Sequence, residues 1–342
     1  MGRARARNRG TRSLVSAELT AARTPTSPAT RPRTRSRAEP ALGGAGQSQP
    51  QGTERGWTVI ETLRGTPEQI SVVLHDGAPR SFSKLARARL PRTLLETVVA
   101  ECMETGQTSV KAAALEDDRV FRVVGMPIPG PSGGVFAVVI WSASITEPMP
   151  EIPKVGTVEW TPSGLLTASA GAEYLLRPPH DLPHGRSVPE LLASFDRWDD
   201  RSQFLEMFNF NTTPTDQWTG VASKHYEDGS YHQFYIAARA VGNGEYRRVR
   251  GVVSDVTATS NPRSSDMAVA MLRAVPIPPG HVLALVDLGS GFAHEWLTDD
   301  HLLAGWRHHN PLYDNGGRER VTQVCVDLAL GTREHATVDV RV

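Results

Sequence analysis

Lysine is almost missing from this chain: only Lys84, Lys111, Lys154 and Lys224 stand among its 37 basic residues, and the rest are arginine. With abundant Ala and Gly, that skew reflects the codons of a GC-rich genome rather than a demand of the fold. Cysteine is scarce as well. Cys102 and Cys325 lie far apart on separate predicted elements, which argues against a disulfide framework and suits a reducing, cytoplasmic compartment. No stretch of 18 apolar residues occurs, so an ordinary transmembrane helix is excluded. The chain also lacks a phosphoacceptor histidine box, a nucleotidyl-cyclase signature and a helix-turn-helix pattern.

What it does have is length and uneven charge. Its 342 residues suffice for two or three domains, each with its own core. The formal net charge is zero. Yet residues 1–55 hold 11 Arg and 3 Glu, so this segment carries +8 and the remainder −8. The same segment is rich in Arg, Ser, Thr, Pro, Ala and Gly. It has too few large apolar side chains to offset the entropy of ordering, and a disordered tail is predicted over 1–55. A flexible Arg-rich arm can neutralise phosphates, but charge runs are more often simply solvated, so nucleic acid is not an expected partner.

The first folded unit, 56–146, opens with the strand-like Trp57-Thr58-Val59-Ile60-Glu61-Thr62-Leu63. Pro91 then suits the first turn of a helix carrying Leu94, Leu95, Val98, Val99 and Cys102 at i, i+3, i+4 spacing, and Gly106 suits its C-terminal end. Two strands, Val120 to Pro127 and Val135 to Trp141, flank the turn Pro129-Gly130-Pro131-Ser132-Gly133-Gly134. That turn matches the Gly-x-Ser-x-Gly nucleophile elbow in letters. The elbow, however, must lead from strand into helix, and here a strand follows. Arg122-Val123-Val124-Gly125-Met126-Pro127-Ile128 and Val135-Phe136-Ala137-Val138-Val139 resemble the late strands of GAF domains. Nothing resembles the Asn-Lys-Phe-Asp-Glu signature of the cyclic-nucleotide-binding members, and Cys102 lacks the following histidine of a bilin attachment site. The resemblance therefore implies an interaction module without ligand.

Three prolines between Glu147 and Pro153 predict an extended linker, 147–155. From Gly156, Val158-Glu159-Trp160 and Leu165 to Ser169 read as a hairpin around Pro162-Ser163-Gly164. Ser187-Val188-Pro189-Glu190-Leu191-Leu192 reads as a capped helix, and Asp200 to Phe208 as a second. Trp218 to Thr259 reads as three strands with a turn at Asp228-Gly229. In Tyr231 to Ala238, alternation puts Phe234, Ile236 and Ala238 on one face and Tyr231, Gln233 and Tyr235 on the other. The Glu227-Asp228-Gly229-Ser230 turn and the closing Gly251-Val252-Val253-Ser254-Asp255-Val256-Thr257 resemble a PAS sensor domain over 156–260.

That resemblance implies a pocket, with Trp160, Phe204, Phe208, Phe234 and Ile236 as candidate lining residues. Its usual cofactors are not expected. No cysteine lies between Cys102 and Cys325 to form a flavin adduct or hold a thiol-linked chromophore, and Asp200 to Phe210 offers no axial histidine for haem. His180 and His184 sit among Pro178, Pro179 and Pro183 and read as loop histidines rather than metal ligands. A small apolar ligand or none remains, with no cofactor and no metal.

The third unit, 266–342, reads as a short helix through Met267 to Leu272, strands at Val282 to Asp287 and Ala293 to Leu297, and helices at Asp299 to Trp306 and Arg318 to Leu330. Its order repeats that of the second unit as far as Gly331. The unit then stops inside its sheet, leaving a strand over Val338 to Val342 with an open edge, so the expectation is either a truncated chain or a partner that supplies the missing strands. His294, His301 and His308 recur every seven residues. On a helix that spacing is about 10.5 Å along the axis, too long for adjacent members to share one zinc.

The fold expected is α+β: a GAF-like domain followed by PAS-like domains, each an antiparallel sheet flanked by helices. As a whole the chain resembles an uncharacterised actinobacterial, mycobacterial-type family of tandem PAS/GAF proteins. The resemblance implies a non-enzymatic cytoplasmic sensor or signalling adaptor that acts through an unidentified partner protein or a homodimer. Two alternatives stand beside it: a ligand-free scaffold, and an enzyme using the C-terminal histidines.

Overall fold

The computed structural model of the chain describes residues 14–20, 56–85, 92–114, 120–162, 164–176, 186–208, 217–243, 246–260, 276, 284–289, 293–296 and 315–341. Most of them belong to two antiparallel sheets with few helices, an α+β architecture. Strand β1 (Leu14–Thr20) belongs to neither sheet.

The first sheet contains β2 (Trp57–Glu61), β3 (Ser71–His75), β4 (Ala78–Ser83), β5 (Ser109–Ala114), β6 (Val120–Pro129) and β7 (Val135–Ser144), in the order β4-β3-β2-β7-β6-β5. Its helix, α1 (Arg92–Thr105), forms where the apolar spacing predicts. Gly106 follows at φ 65°, the left-handed turn that ends a helix cheaply only at glycine. Leu95, Val98, Val99 and Cys102 of α1 pack on Ile60, Val123, Val138 and Ile140 of one sheet face. The turn after β6 is closed by Gly130 N–H donating to the Gly134 carbonyl at 2.9 Å, and it leads into β7. The Gly-x-Ser-x-Gly segment is thus a hairpin turn.

The second sheet contains β8 (Val155–Trp160), β9 (Leu165–Ala168), β10 (Arg186–Ser187), β11 (Arg197–Trp198), β12 (Gln217–His225), β13 (Tyr231–Val241) and β14 (Arg248–Asp255), in the order β10-β9-β8-β14-β13-β12-β11. Helices α2 (Ala170–Leu176), α3 (Val188–Ala193) and α4 (Arg201–Glu206) lie in the connections. Ser187 caps α3 by accepting from the Glu190 N–H. Gly156 lets α2 approach closely: a Cβ there would come within 2.2 Å of the Ala172 backbone nitrogen.

Both sheets are wired alike. In each, the first and last strands form the central pair, the second strand flanks the first, and the penultimate strand flanks the last. Each sheet carries its helices on one face and turns the other to its neighbour. Trp57, Val59, Val139 and Trp141 of the first sheet share a buried core with Val155, Tyr235, Ala237 and Val252 of the second. The alternation predicted in β13 is present: Phe234, Ile236 and Ala238 face the helices, and Tyr235 and Ala237 face the first sheet. The Pro-rich segment 147–154 therefore joins two sheets packed face to face.

Toward the C-terminus, β15 (Ala284–Val286) and β16 (Ala293–Trp296) form a hairpin, α5 (Asn315–Ala329) follows, and β17 (His335–Arg341) comes after Gly331. Two expectations change here. One edge of strand β17 is covered, because it pairs antiparallel with β1. Leu14–Thr20, read as part of a disordered tail, is a strand because backbone pairing supplies what its composition does not. The rest of 1–55, and the helices read over Met267 to Leu272 and Asp299 to Trp306, lie outside the described residues.

Candidate functional site

Three arrangements bear on function: an aromatic core in the second unit, a polar network between the sheets, and a cavity in the first unit. The five pocket candidates read from sequence meet in the first of these. Trp160 lies edge-on to Phe204 at 5.4 Å and to Phe208 at 6.3 Å, and Phe204 and Phe208 are 5.4 Å apart. Phe234 and Ile236 belong to the same buried cluster. Trp198 and Trp218, which the sequence reading did not single out as pocket residues, complete it as a stacked pair at 5.6 Å. The rings pack against one another as a core. The indole N–H groups of Trp160, Trp198 and Trp218 are buried without an acceptor, an uncommon condition for a buried donor.

The polar network begins as a row across the second sheet, where register aligns Gln217, Arg239, Arg250 and Glu159 on neighbouring strands. Two arginines directly opposite one another repel, and each is neutralised. Arg239 Nε donates to Glu61 Oε1 at 2.8 Å, its Nη1 to Gln217 at 2.9 Å and its Nη2 to Ser71 at 3.0 Å. Its guanidinium also lies over the Phe82 ring. Glu61, fully buried, accepts from the Leu63 N–H through its second oxygen. Arg250 Nε donates to Glu159 at 2.8 Å, and its Nη1 to the Leu63 carbonyl at 3.1 Å. Ser132, from the turn that mimics a nucleophile elbow, donates to Glu159 at 3.0 Å. Glu61, Leu63, Ser71, Phe82 and Ser132 belong to the first unit and both arginines to the second, so the network clamps the units together.

Further bonds reinforce the clamp. Thr157 donates to the Pro129 carbonyl, Thr259 to the Gly77 carbonyl, and Tyr235 to the Arg80 carbonyl at 2.7 Å. Burial pushes the Tyr235 hydroxyl up to about 12, with a Thr219 hydrogen bond acting the other way. It stays a neutral donor at any physiological pH.

On the far side of the first sheet, beneath α1, lies a cavity of about 880 Å³, within the range of small-molecule sites. Its apolar lining includes Ile60, Val72, Leu85, Leu95 and Ile140. Polar groups gather from the β3–β4 hairpin and its neighbours: His75, Asp76, Arg80, Ser83 and Lys84, with Thr58 on β2. Asp76 accepts from the Gly56 N–H at 2.6 Å and lies 3.5 Å from the His75 ring, and Thr58 bonds His75 at 2.9 Å. Arg80 and Lys84 thus give the mouth a cationic side. Sequence reading missed this hairpin although it carries the Asp76-Gly77 signal; only the later Asp-Gly pair was used.

Neither cysteine is poised for chemistry. Burial raises the Cys102 thiol and pushes Cys325 up to about 11, with the Asp287 charge adding to the latter. Thiols held that high are poor nucleophiles. Among the described residues, no group of three or more His, Cys, Asp or Glu could hold a metal ion, and no helix is long and apolar enough to cross a membrane. His294 lies on β16, while His180, His184, His301 and His308 fall outside the described residues.

Residues 56–151 match a family model described as Rv3651-like, N-terminal. No curated protein matches the chain. Among solved structures, an uncharacterized protein from Mycobacterium tuberculosis is similar at 20% identity and a TM-score of 0.62, over 78% of this chain and 83% of that one. The two share a fold. The family match, confined to residues 56–151, agrees with the mycobacterial-type resemblance read from the sequence. A sensory box histidine kinase/response regulator from Burkholderia thailandensis aligns at 21% identity over 31% of this chain and 79% of that one, with a TM-score of 0.24. The periplasmic sensory domain of a Campylobacter jejuni chemoreceptor aligns at 9% identity over 62% and 76%, with a TM-score of 0.20.

Proposed function

We propose that this chain is a non-enzymatic sensor or signalling adaptor whose input is a small ligand in the first unit's cavity and whose output passes through the second unit. The observation that supports it is the double role of β2. Thr58 and Ile60 line the cavity, while Trp57, Val59 and Glu61 of the same strand face the second sheet. Successive strand residues point to opposite faces, so a ligand that moves this strand also moves the clamp. The β3–β4 hairpin is coupled likewise: Arg80 lines the cavity while its carbonyl holds Tyr235. On this reading the first unit is a GAF-like input module and the second a PAS-like relay. A cytoplasmic setting belongs to the same proposal, consistent with two free, buried thiols.

The lining selects an apolar body with an anionic head, the head meeting Arg80 and Lys84. Decanoate is a suitable probe. Titration calorimetry should detect binding that weakens at least about tenfold in an Arg80→Glu/Lys84→Glu variant, since a charge-assisted hydrogen bond contributes about 1.5–3 kcal/mol. Amide exchange of β2 and β13 should slow together on binding. Absence of binding, or binding indifferent to charge reversal, would remove the cavity as the input.

A second reading places the ligand in the second unit. Three indole donors without acceptors favour it, but the rings would have to part to admit a guest. Quenching of tryptophan fluorescence by a bound acceptor, unaffected by Arg80→Glu/Lys84→Glu, would support this reading over the first.

A further inference from the structure

We infer that the part of the first sheet's inner face left uncovered by the second sheet is a dimerisation surface, and that it is occupied by the same surface of a second copy of this chain. The inference is independent of the ligand proposal. It starts from register. On the face that carries Trp57 and Val59, strands β5, β6 and β7 set three rows side by side: Val110, Val124 and Trp141; Ala112, Arg122 and Ala143; Ala114, Val120 and Ile145. Val124, Trp141 and Ala143 lie in the core shared with the second sheet. Beyond them the face opens: Val110 is 58% exposed, Ile145 53% and Val120 37%, with Ala112 and Ala114 exposed beside them. The apolar surface that joins the two sheets thus continues past the cover of the second, and a contiguous apolar patch left in water marks a site of association.

Charge selects the occupant. Arg122 is the single charged residue in the three rows. Its guanidinium lies 5.0 Å from the centre of the Trp141 ring, and its one hydrogen bond, from Nη2 to the Glu147 carbonyl, is long at 3.4 Å. The Arg122 Nε is buried without an acceptor, and among the described residues no carboxylate pairs with this side chain. Glu147 is exposed at the same margin and offers Arg122 only its carbonyl, so its carboxylate is also without a partner among the described residues. The patch therefore presents an unpaired cation and an unpaired anion next to each other among apolar side chains. In an isologous contact residue i of one copy meets residue j of the other, and j meets i. A twofold axis through this patch sets each Arg122 against the Glu147 of the other copy, with Val120 and Ile145 packed between, and a charged hydrogen-bonded pair of that kind fixes orientation as well as affinity. A foreign partner would have to bring both charges in this arrangement, whereas a second copy already has them. Pairing edge to edge is disfavoured, although β5 is the last strand of its sheet among the described residues. Lys111, paired with Glu101 on the helix side, puts charge along that edge, and such charge blunts strand addition.

Sedimentation velocity on the full chain tests this. A monomer–dimer equilibrium should appear as the concentration rises to about 100 μM, weak as small interfaces are. Val120→Glu/Ile145→Glu should weaken dimerisation by about tenfold or more; both positions are exposed, so the fold is kept. Arg122→Glu and Glu147→Arg should each weaken it by about tenfold, because each sets like charges against one another across the twofold. The double exchange Arg122→Glu/Glu147→Arg should bring dimerisation back to within about threefold of the parent chain. That recovery separates the inference from a purely structural role of Arg122 over Trp141, which the exchange would not repair. A chain that stays monomeric, a dimer indifferent to Val120→Glu/Ile145→Glu, or a double exchange no better than the single ones would overturn the inference.

Discussion

Arg239 shows how one side chain can hold two sheets in register. Its guanidinium reaches Glu61, Gln217 and Ser71 and lies over Phe82, so its charge is paired and its geometry held where water is excluded. Breaking such a pair from one side leaves a buried charge uncompensated, at a cost of about 3–5 kcal/mol. Replacing both members by apolar residues of similar size avoids that cost. Glu61→Ala and Arg239→Ala should therefore each lower unfolding free energy in urea by about 3–5 kcal/mol, whereas Glu61→Leu/Arg239→Met should cost less than either. A double variant as damaging as the sum of the singles would show that the two residues act separately. Neither member of this pair was singled out from the sequence, although a local signal for each was there. Alternation from Trp57 through Val59 places Glu61 on an apolar face, and Arg239 interrupts the apolar run of β13. What alternation cannot state is the partner, because the two positions are 178 residues apart and meet only when the sheets do.

At the scale of elements, local signals were strong where residues close in sequence decide the outcome. The stripe of α1, the capping Ser187, the turn at Asp228-Gly229 and the three strands after Trp218 form as their patterns predict. Strands β10 and β11 could not be read, since a strand of two residues exists only by pairing with β9 or β12. Close contacts between elements were equally hidden. Gly156 looks like any linker glycine, yet its missing Cβ is what admits α2. Gly156→Ala should destabilise by about 1–3 kcal/mol through overpacking against a backbone that cannot turn aside, measurable as a lowered thermal midpoint. An unchanged midpoint would mean that α2 can shift freely.

For the whole molecule, the face-to-face packing of the sheets predicts that the first and second units behave as one body. Cutting an engineered protease site within residues 147–154 should leave the fragments together in gel filtration, because the shared core and the clamp, rather than the linker, join them. Fragments that separate at micromolar concentration would contradict this. The linear order of residues was enough to place α1, α3, the β6–β7 hairpin, the three strands after Trp218 and the alternation along β13, because each depends on periodicity, turn chemistry or capping within a few residues. Tertiary structure alone decided that the other face of β13 meets a second sheet and that the candidate pocket aromatics fill their own core. It also placed the cavity under α1 and turned a segment of the basic tail into the partner of β17. Those outcomes depend on contacts between residues tens to hundreds of positions apart, whose free energy is gained only after the chain has closed on itself.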